Sequence, residues 1–265
     1  MFSSFNNIYL YHYNIMITDV CVVFCCNKAY FHKFMNTCNQ LITKGKYNGN
    51  ICLVVGDDLK NDALLDCDFI KNNVITKYFP NIQFSNDFLV VNNNIATDGR
   101  NLSKKFQWHK LHLFNTFFKQ WNFIFYIDCG MNIFSDISPM INEATENTLL
   151  AHSDAYPTYE WKLHNQFDRN TEYFTKLNNT YNLNIDYFQT GIMLYDTKII
   201  ENDTYDNLLK LSMEYPISRT NEQGIIALYF TNIKPFFKQI KIKENIYFYD
   251  YASRNKNNTY IMLKY

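Results

Sequence analysis

The sequence predicts an α/β fold in which a mixed, mostly parallel sheet is flanked by helices. Three apolar runs, at residues 20–26, 51–55 and 123–127, are continuous rather than alternating, which is typical of strands buried on both faces of a parallel sheet. Each run ends in polar residues or glycine, and segments of helical periodicity lie between them. Strand–helix units in series are typical of parallel sheets, because parallel strands need a crossover connection.

The first half of the chain contains two predicted strands and one clear helix. The strand at residues 20–26 is followed by a helix over 30–44, and a turn region leads to the second strand at 51–55. The apolar side chains that mark the helix at helical spacing are Phe31, Phe34, Met35, Cys38 and Leu41. Residues 80–103 are polar without a clear period, so no element is predicted there.

A long amphipathic helix over residues 104–121 is predicted to lead into the strand at 123–128. Its apolar stripe consists of Leu111, Phe114, Phe118 and Trp121. The later elements are expected, in chain order, as a strand at 148–151, a turn entering a strand over 187–196, helices at 202–214 and 220–230, and strands at 246–251 and 259–263.

Length and composition limit the class of protein. The chain has 265 residues, which predicts one domain over residues 19–265 preceded by a loose, Asn- and Tyr-rich extension at 1–18. The formal net charge is zero, so the basic excess of a nucleic-acid-binding protein is missing and no nucleic-acid partner is expected. Aromatic residues make up 18% of the chain, which fits a tightly packed core and a site that stacks planar rings or sugars.

Cysteine usage and hydropathy bear on the compartment. The seven cysteines are an odd number and most lie inside apolar runs, which suits reduced thiols in the cytoplasm, or in the host cell's cytoplasm if the chain is viral. No segment of about 20 apolar residues occurs, so no membrane span is expected. The N-terminus lacks the basic and apolar regions of a secretory signal. Oligomeric state stays open.

Asp128 is the first candidate site residue. It follows the run of apolar and aromatic residues at 123–127, and Gly130 comes two residues later. In open α/β sheets, ligands bind at the carboxyl ends of the strands. We therefore expect Asp128 to face a ligand and Gly130 to let the backbone approach it closely. The alternative is that Asp128 only caps the next segment.

The order of polar segments along residues 19 to 250 resembles the GT-A fold glycosyltransferases, most closely the family 8 type. The segments that carry the resemblance are, in chain order, Asn27 at the end of the first strand, Lys110 on the helix before the strand of the Asp-x-Asp motif, Tyr126-Ile127-Asp128-Cys129-Gly130 at that motif, His152-Ser153-Asp154-Ala155 at the next acidic strand end, Tyr187-Phe188-Gln189-Thr190-Gly191 at the aromatic-Asn-x-Gly segment, and Asn221-Glu222-Gln223-Gly224 at the Asp-Gln-Asp helix start.

The sequence departs from the family pattern at several of these positions. Gly130 stands where the family has the second Asp, Gln189 where it has an Asn, and Glu222 where it has an Asp. The last histidine is His164, so the family's late metal-binding histidine has no counterpart that we can assign. These departures concern the metal site more than the fold.

The resemblance implies transfer of a sugar from a nucleotide-sugar donor, a UDP-sugar, to a hydroxyl of a glycan or glycoprotein acceptor. It favours retention over inversion of the anomeric configuration. The implied roles are a metal and diphosphate ligand for Asp128 with Gly130 beside it, a nucleotide contact for Asn27, a phosphate or donor contact for Lys110, sugar contacts for Asp154 and Gln189, and a place near the reacting carbon for Glu222 and Gln223.

A divalent cation, Mn²⁺ or Mg²⁺, is the cofactor that the resemblance implies. Such an ion neutralises the charge that develops on a leaving diphosphate, and it takes oxygen ligands. With glycine at position 130, the ion would depend on Asp128, phosphate, water or another carboxylate such as Asp154. Alternatively, Lys110 or another cation would supply the positive charge in its place.

Two other functions stay open. The same fold with a lapsed metal site would bind a nucleotide sugar or glycan without turnover, and Gly130 favours that alternative. A nucleotidyltransferase would need a glycine-rich phosphate loop after the first strand, but residues 25–30 contain no glycine.

Several candidate residues also have a purely structural interpretation. Asn27 would simply end its strand, and a lysine on an amphipathic helix such as Lys110 is usually solvated. Residues 220–223 match a capping box, in which Gln223 would bond only to the backbone. His109 and His112 lie one helical turn apart, and packing or surface exposure is the favoured interpretation over a metal site.

Overall fold

The computed structural model describes residues 19–95, 102–156, 158–240, 247–251 and 260–264. The predicted extension at residues 1–18 lies outside the described residues. Its separation from one domain over 19–265 therefore stays a prediction.

The strands of the described residues form a seven-stranded and a three-stranded sheet. In chain order they are β1 (Val20–Cys26), β2 (Asn50–Val55), β3 (Ile75–Tyr78), β4 (Phe123–Ile127), β5 (Met131–Ile133), β6 (Leu149–Ala151), β7 (Ile192–Asp196), β8 (Phe237–Gln239), β9 (Tyr247–Tyr251) and β10 (Tyr260–Lys264). The large sheet has the order β3-β2-β1-β4-β7-β6-β8, and the small one has the order β5-β10-β9. Strands β3, β2, β1 and β4 are parallel, whereas β7 is antiparallel to both β4 and β6. The predicted mixed, mostly parallel sheet is confirmed.

Helices cover both faces of the large sheet. The α-helices are α1 (Phe31–Thr43), α2 (Asp68–Asn73), α3 (Asn86–Asn93), α4 (Ser138–Ile141), α5 (Glu172–Thr180), α6 (Thr204–Glu214) and α7 (Glu222–Leu228). A π-helical turn, Tyr229–Ile233, continues α7.

Alternation along the central strands assigns side chains to two cores, because neighbouring residues of a strand point to opposite faces. On one face, Val22 and Phe125 pack with the apolar side of α1. On the other face, Val23 and Tyr126 pack with the helical segments that precede β4 and with α7. All side chains of β1 and β4 are buried, which explains their continuous apolar sequence.

The predicted helix over 104–121 is the clearest correction to the sequence analysis. The segment instead forms two 3₁₀ helices, Leu102–Phe114 and Thr116–Gln120. Between them, the side chain of Asn115 accepts a hydrogen bond of 3.0 Å from the backbone N–H of Phe117. Asparagine can replace helical backbone bonding in this way, so the helix restarts at this residue.

Short elements account for the other differences. The polar stretch 80–103 contains α3, whose N-terminus is capped by the Ser85 side chain at 3.2 Å from Phe88 N. Strands β5 and β8 have three residues each, which is too short for a periodic signal.

The state of the cysteines and the hydropathy of the helices bear on the cellular compartment of the protein. All seven cysteines are free thiols, and five of them are buried, as their apolar surroundings in the sequence predict. In the part of the chain that the structure describes, no helix is both long enough and apolar enough to span a membrane.

Candidate active site

The candidate site lies at the carboxyl end of β4. Parallel pairing of β4 with β1 brings the carboxyl ends of both strands to the same edge, and antiparallel β7 begins there. The backbone N–H of Asp128 donates a 2.9 Å hydrogen bond to the carbonyl of Gly191, just before β7. Asp128 has the same alternation as Tyr126, so it points to the face covered by the first 3₁₀ helix and α7.

Asp128 is held by three side chains. Its Oδ1 accepts a hydrogen bond of 2.6 Å from the Tyr126 hydroxyl and lies 2.9 Å from Nζ of Lys110. Its Oδ2 lies 2.8 Å from Nζ of Lys264, on β10. Both oxygens of this carboxylate are therefore engaged by cations of the chain itself.

Lys110 is the buried centre of the site. Its Nζ lies 2.9 Å from Asp128, 3.0 Å from Oε1 of Glu222, and 3.4 Å from both the carbonyl and hydroxyl oxygens of Thr190. The same Nζ is 5.4 Å from the centroid of the Tyr126 ring. A buried ammonium needs such partners, because removing it from water without them is very unfavourable. The alternative of a solvated lysine is wrong.

Burial and neighbouring charges shift the pKa values of Asp128 and Lys110 in opposite directions. Burial alone would raise the pKa of Asp128, but Lys110 and Lys264 outweigh it and hold that pKa well below its usual range. Burial alone would lower the pKa of Lys110, but Asp128 and Glu222 outweigh it and raise that pKa. Lys110 and Asp128 consequently stay charged across the physiological pH range.

The start of α7 joins this cluster through Thr190. The Thr190 hydroxyl donates a 2.8 Å hydrogen bond to Oε1 of Glu222, and its backbone N–H donates one of 3.2 Å to Oε1 of Gln223. Nε2 of Gln223 donates to Oδ2 of Asp154 at 3.2 Å and to Gln166 at 2.9 Å. The structure therefore brings together five predicted residues, Lys110, Asp128, Asp154, Glu222 and Gln223.

The capping box predicted as an alternative over residues 220–223 does not form. The helix has Asn221 at its N-cap, with a φ of 56° and no side-chain capping bond. The Thr220 hydroxyl donates instead to the Gln166 side chain at 2.6 Å. The side chain of Gln223 is used instead for tertiary contacts with Thr190, Asp154 and Gln166.

The remaining predicted residues lie around this cluster. The Asn27 side chain accepts a 3.1 Å hydrogen bond from Tyr30 N and so caps a short 3₁₀ helix, Lys28–Tyr30, at the end of β1. Gln189 is buried, and its N–H donates 2.9 Å to the carbonyl of His152. The predicted nucleotide role of Asn27 and the sugar role of Gln189 stay predictions.

Lys264, Tyr126 and Thr190 are site residues that the sequence analysis missed. The place of Tyr126 beside Asp128 could have been predicted from the sequence, because residues two apart in a strand lie on the same face of the sheet. The place of Lys264 could not, since 136 residues separate it from Asp128. Its place depends on the antiparallel pairing of β10 with β5, which sets Lys264 opposite Met131.

Gly130 adopts a backbone conformation that favours glycine. Its φ is +92°, and its N–H donates a 3.2 Å hydrogen bond to the Thr37 hydroxyl. A Cβ built there would meet only Cδ of Lys33, at 3.4 Å. At the family's second Asp position, this chain thus has an open space facing a lysine.

Replacing Gly130 with alanine is expected to lower the free energy of unfolding by about 1–2 kcal/mol, because an L-residue is strained at positive φ. Urea unfolding measures the change. Gly130→Asn is the matched control, since asparagine tolerates positive φ better and should lose less. Equal losses for both variants would contradict a backbone origin.

The described side chains do not fit the divalent cation that the fold family implies. No group of three or more His, Cys, Asp or Glu residues within the described ranges is placed to hold a metal ion. Asp128, the predicted metal ligand, has lysines on both oxygens. Asp154, the alternative carboxylate, hydrogen-bonds to Gln223.

The chain is similar to known proteins in its structure but not in its sequence. No family model matches the sequence, and no curated protein matches it. Solved structures do match. A galactosyltransferase, LgtC, in complex with donor and acceptor sugar analogs is similar, with a TM-score of 0.58 and 12% identity over 92% of this chain and 86% of that one.

Two further structures have the same likeness. The bifunctional glycosyltransferase WbbM has a TM-score of 0.56 and 17% identity over 95% of this chain, which corresponds to 46% of WbbM. Core-mannan synthase A from Aspergillus fumigatus, in its Mn/GDP form, has a TM-score of 0.53 and 11% identity over 84% of this chain and 73% of that one. Identities this low show a shared fold, and the fold predicted from the sequence is confirmed.

Proposed function

We propose that this chain, which has the GT-A fold, is a glycosyltransferase that moves a sugar from a nucleotide-sugar donor to a hydroxyl of a glycan or glycoprotein. The observation that carries the proposal is the network that joins the buried Lys110, Glu222 and Gln223 to the half-buried Asp128 and Asp154 at the carboxyl end of β4. Ligands of open α/β sheets bind at this edge. Perturbed, buried titratable groups at such an edge are characteristic of functional sites.

The donor's diphosphate is proposed to bind beside Asp128 and Gly130, at the lysine-rich end of the network. The sugar then extends toward Asp154 and Gln189. The resemblance to the family 8 type supports UDP as the nucleotide and Asn27 as a nucleotide contact. It also supports retention of configuration, which NMR of the product's anomeric proton would test.

In the reaction, the bond between the anomeric carbon and the phosphate oxygen breaks, and its electron pair leaves with the diphosphate. The acceptor oxygen forms the new bond, and its proton passes to that phosphate oxygen. The transition state resembles an oxocarbenium ion, so nearby carboxylate and amide oxygens stabilise its positive charge. Nearby cations stabilise the negative charge that develops on the leaving diphosphate.

Exposure distinguishes the roles of Glu222 and Gln223. Glu222 is 2% exposed and Gln223 is 9% exposed, so Gln223 is the better placed to touch a sugar. Glu222 holds Lys110 and Thr190 through Oε1, and its buried Oε2 lacks a hydrogen-bond partner among the described residues. We assign Gln223 to the sugar and Glu222 to the positioning of Lys110.

The Gln223→Ala variant is expected to lower sugar transfer, or donor hydrolysis without acceptor, by about 10²–10³-fold, the usual effect of losing one polar contact to a transition state. Binding of UDP, read as a rise in melting temperature, should persist because Gln223 does not contact the phosphates. Gln223→Glu preserves the size of the side chain but removes both bonds that Nε2 donates, to Asp154 and Gln166, so it should lose activity as well.

Gln120→Ala is the control for that experiment, since this glutamine is exposed and its side chain donates a local hydrogen bond of 3.0 Å to the Phe117 carbonyl. Its activity should equal that of the wild type. Wild-type activity in Gln223→Ala would contradict the assigned role.

A non-catalytic binding domain is the second candidate, because both oxygens of Asp128 are already engaged. It predicts that nucleotide sugars bind but are neither transferred nor hydrolysed. Seven free thiols support action in a reducing compartment, the cytoplasm, for either function.

A further inference from the structure

We propose that this protein binds its donor's diphosphate without a divalent cation, and that Lys264, held in place by Asp128, supplies the positive charge together with Lys110. The inference rests on the proposed function and deepens it. It makes Lys264 a phosphate contact and Asp128 a positioning residue rather than a metal ligand.

The first observation is that cations of the chain occupy the atoms a metal would need. Nζ of Lys110 lies 2.9 Å from Oδ1 of Asp128, and Nζ of Lys264 lies 2.8 Å from Oδ2. The Tyr126 hydroxyl adds a 2.6 Å hydrogen bond to Oδ1. A metal ion would have to displace both lysines from this carboxylate, and the side chain of Lys110 is only 9% exposed.

The second observation concerns the rest of a metal site. Position 130, where the fold family has an acid, is a glycine at φ +92° whose open side faces Lys33. The described residues contain no set of three His, Cys, Asp or Glu side chains placed around one point. The side chains around Asp128 and Gly130 therefore suit a bound anion beside the lysines better than a metal ion beside carboxylates.

The third observation is the charge balance of the cluster. Lys110 and Lys264 carry two positive charges, and Asp128 and Glu222 carry two negative charges. The Lys110 side chain is 9% exposed, whereas that of Lys264 is 34% exposed. Lys264, the more exposed of the two, is therefore the ammonium that can also reach an incoming diphosphate, while Lys110 keeps its contacts with both carboxylates.

The position of Lys264 is built into the fold. Strand β10 pairs antiparallel with β5, and the pairing sets Lys264 opposite Met131, which follows Gly130 directly. Its ammonium is thereby held at the edge where the diphosphate is proposed to bind. Preorganised positive charge at a leaving group stabilises the charge that develops there, as a metal does in other enzymes.

Calorimetric titration with UDP, GDP and ADP in EDTA, and then in Mn²⁺, tests the inference on the full-length protein. We expect at least one nucleotide to bind in EDTA, with Kd changed by less than about threefold on adding Mn²⁺. Lys264→Met should weaken that binding in EDTA by about tenfold to a hundredfold, the usual effect of losing a hydrogen bond to a charged group. Lys264→Arg should keep most of it.

Lys234→Met is the matched control. The Lys234 side chain is 35% exposed and pairs with Glu201 at 2.6 Å, so its exposure and pairing resemble those of Lys264. Its nucleotide affinity should equal that of the wild type. Circular dichroism and melting temperature confirm that each variant is folded.

The outcomes separate this inference from the proposed function. Binding that requires Mn²⁺ would overturn the inference and leave the glycosyltransferase proposal standing. Unchanged affinity in folded Lys264→Met would also overturn it. If none of the nucleotides binds in either buffer, both the inference and the proposed function are wrong.

Discussion

Replacing Lys110 with methionine is expected to lower the free energy of unfolding by about 3–5 kcal/mol, because removal of one member of a buried ion pair leaves the partner charge unpaired. Glu222 would keep only Thr190 as a partner for Oε1, and Asp128 would keep Lys264 and Tyr126. For a chain of this size, the melting temperature should fall by about 6–20 °C. Methionine has nearly the volume of lysine, so packing changes little.

A double-mutant cycle with Glu222→Gln isolates the electrostatic part of that loss. Glutamine removes the stranded charge but can still accept a hydrogen bond from Thr190. The double variant should therefore be about 1–3 kcal/mol more stable than the sum of the single effects predicts. Strict additivity would contradict the pairing of Lys110 with Glu222.

Lys119→Met is the control for this prediction. Lys119 is exposed on the second 3₁₀ helix, where its ammonium donates to the Ile200 carbonyl at 2.9 Å. Its loss should change stability by less than about 1 kcal/mol. Urea unfolding at neutral pH measures the wild type and all four variants.

Lowering the pH from 7 to 5 is expected to destabilise the protein by about 4 kcal/mol through two buried histidines. Burial lowers the pKa of His109 to about 4. Burial, with a further contribution from His109, lowers the pKa of His112 to about 3. Each stays neutral in the folded protein at pH 5, whereas each would be protonated in the unfolded chain.

The direction in which pH changes the stability follows from proton uptake by the unfolded chain. Both folded pKa values lie below the ordinary value of about 6.5, so the unfolded state binds more protons between pH 6.5 and 4. The stability contribution is complete above pH 6.5 and is lost as the pH falls through that window. Asp128 adds little there, because an ordinary aspartate titrates near pH 4.

The packing of these rings explains why they stay neutral. His112 stacks on Phe79 at 4.5 Å and on Tyr205 at 4.7 Å between ring centroids. His109 stacks on Phe106 at 4.6 Å, and its Nε2 lies 3.3 Å from the Val55 carbonyl. Both rings are packed against aromatic neighbours, which is one of the two structural alternatives that the sequence left for this pair.

Urea unfolding between pH 7.5 and 4.5 measures the effect. His109→Gln and His112→Gln should each remove about half of the acid sensitivity, since glutamine does not titrate. His32→Gln is the control, because His32 is exposed on α1 and should leave the slope unchanged. Equal slopes for all three variants and the wild type would contradict the assignment.

Much of the fold was predictable because the central strands are buried on both faces. Strands β1, β2 and β4 have apolar residues at nearly every position, so each was predicted to within one residue. The short edge strands and α3 were not predicted, since few residues and half-exposed surfaces leave no clear period.

Some features of the candidate site were likewise predictable from the sequence, and others were not. Asp128 was predictable because it ends a buried strand at the edge where ligands bind, and Gln223 because it matches a family segment. The local pattern around Gln223 also predicted a capping box, which tertiary contacts with Asp154 and Gln166 overrode. Local propensity is a weak guide where a side chain has strong distant partners.

The sequence by itself determined that the chain forms a mostly parallel sheet with an acidic residue at the end of β4. The apolar runs and their polar ends are local, and burial on two faces leaves a direct mark on composition. Only the tertiary structure decided what surrounds that acid. Lys264 reaches Asp128, 136 residues away in the chain, through the pairing of β10 with β5, and such distant strand pairing has no signature in either segment alone.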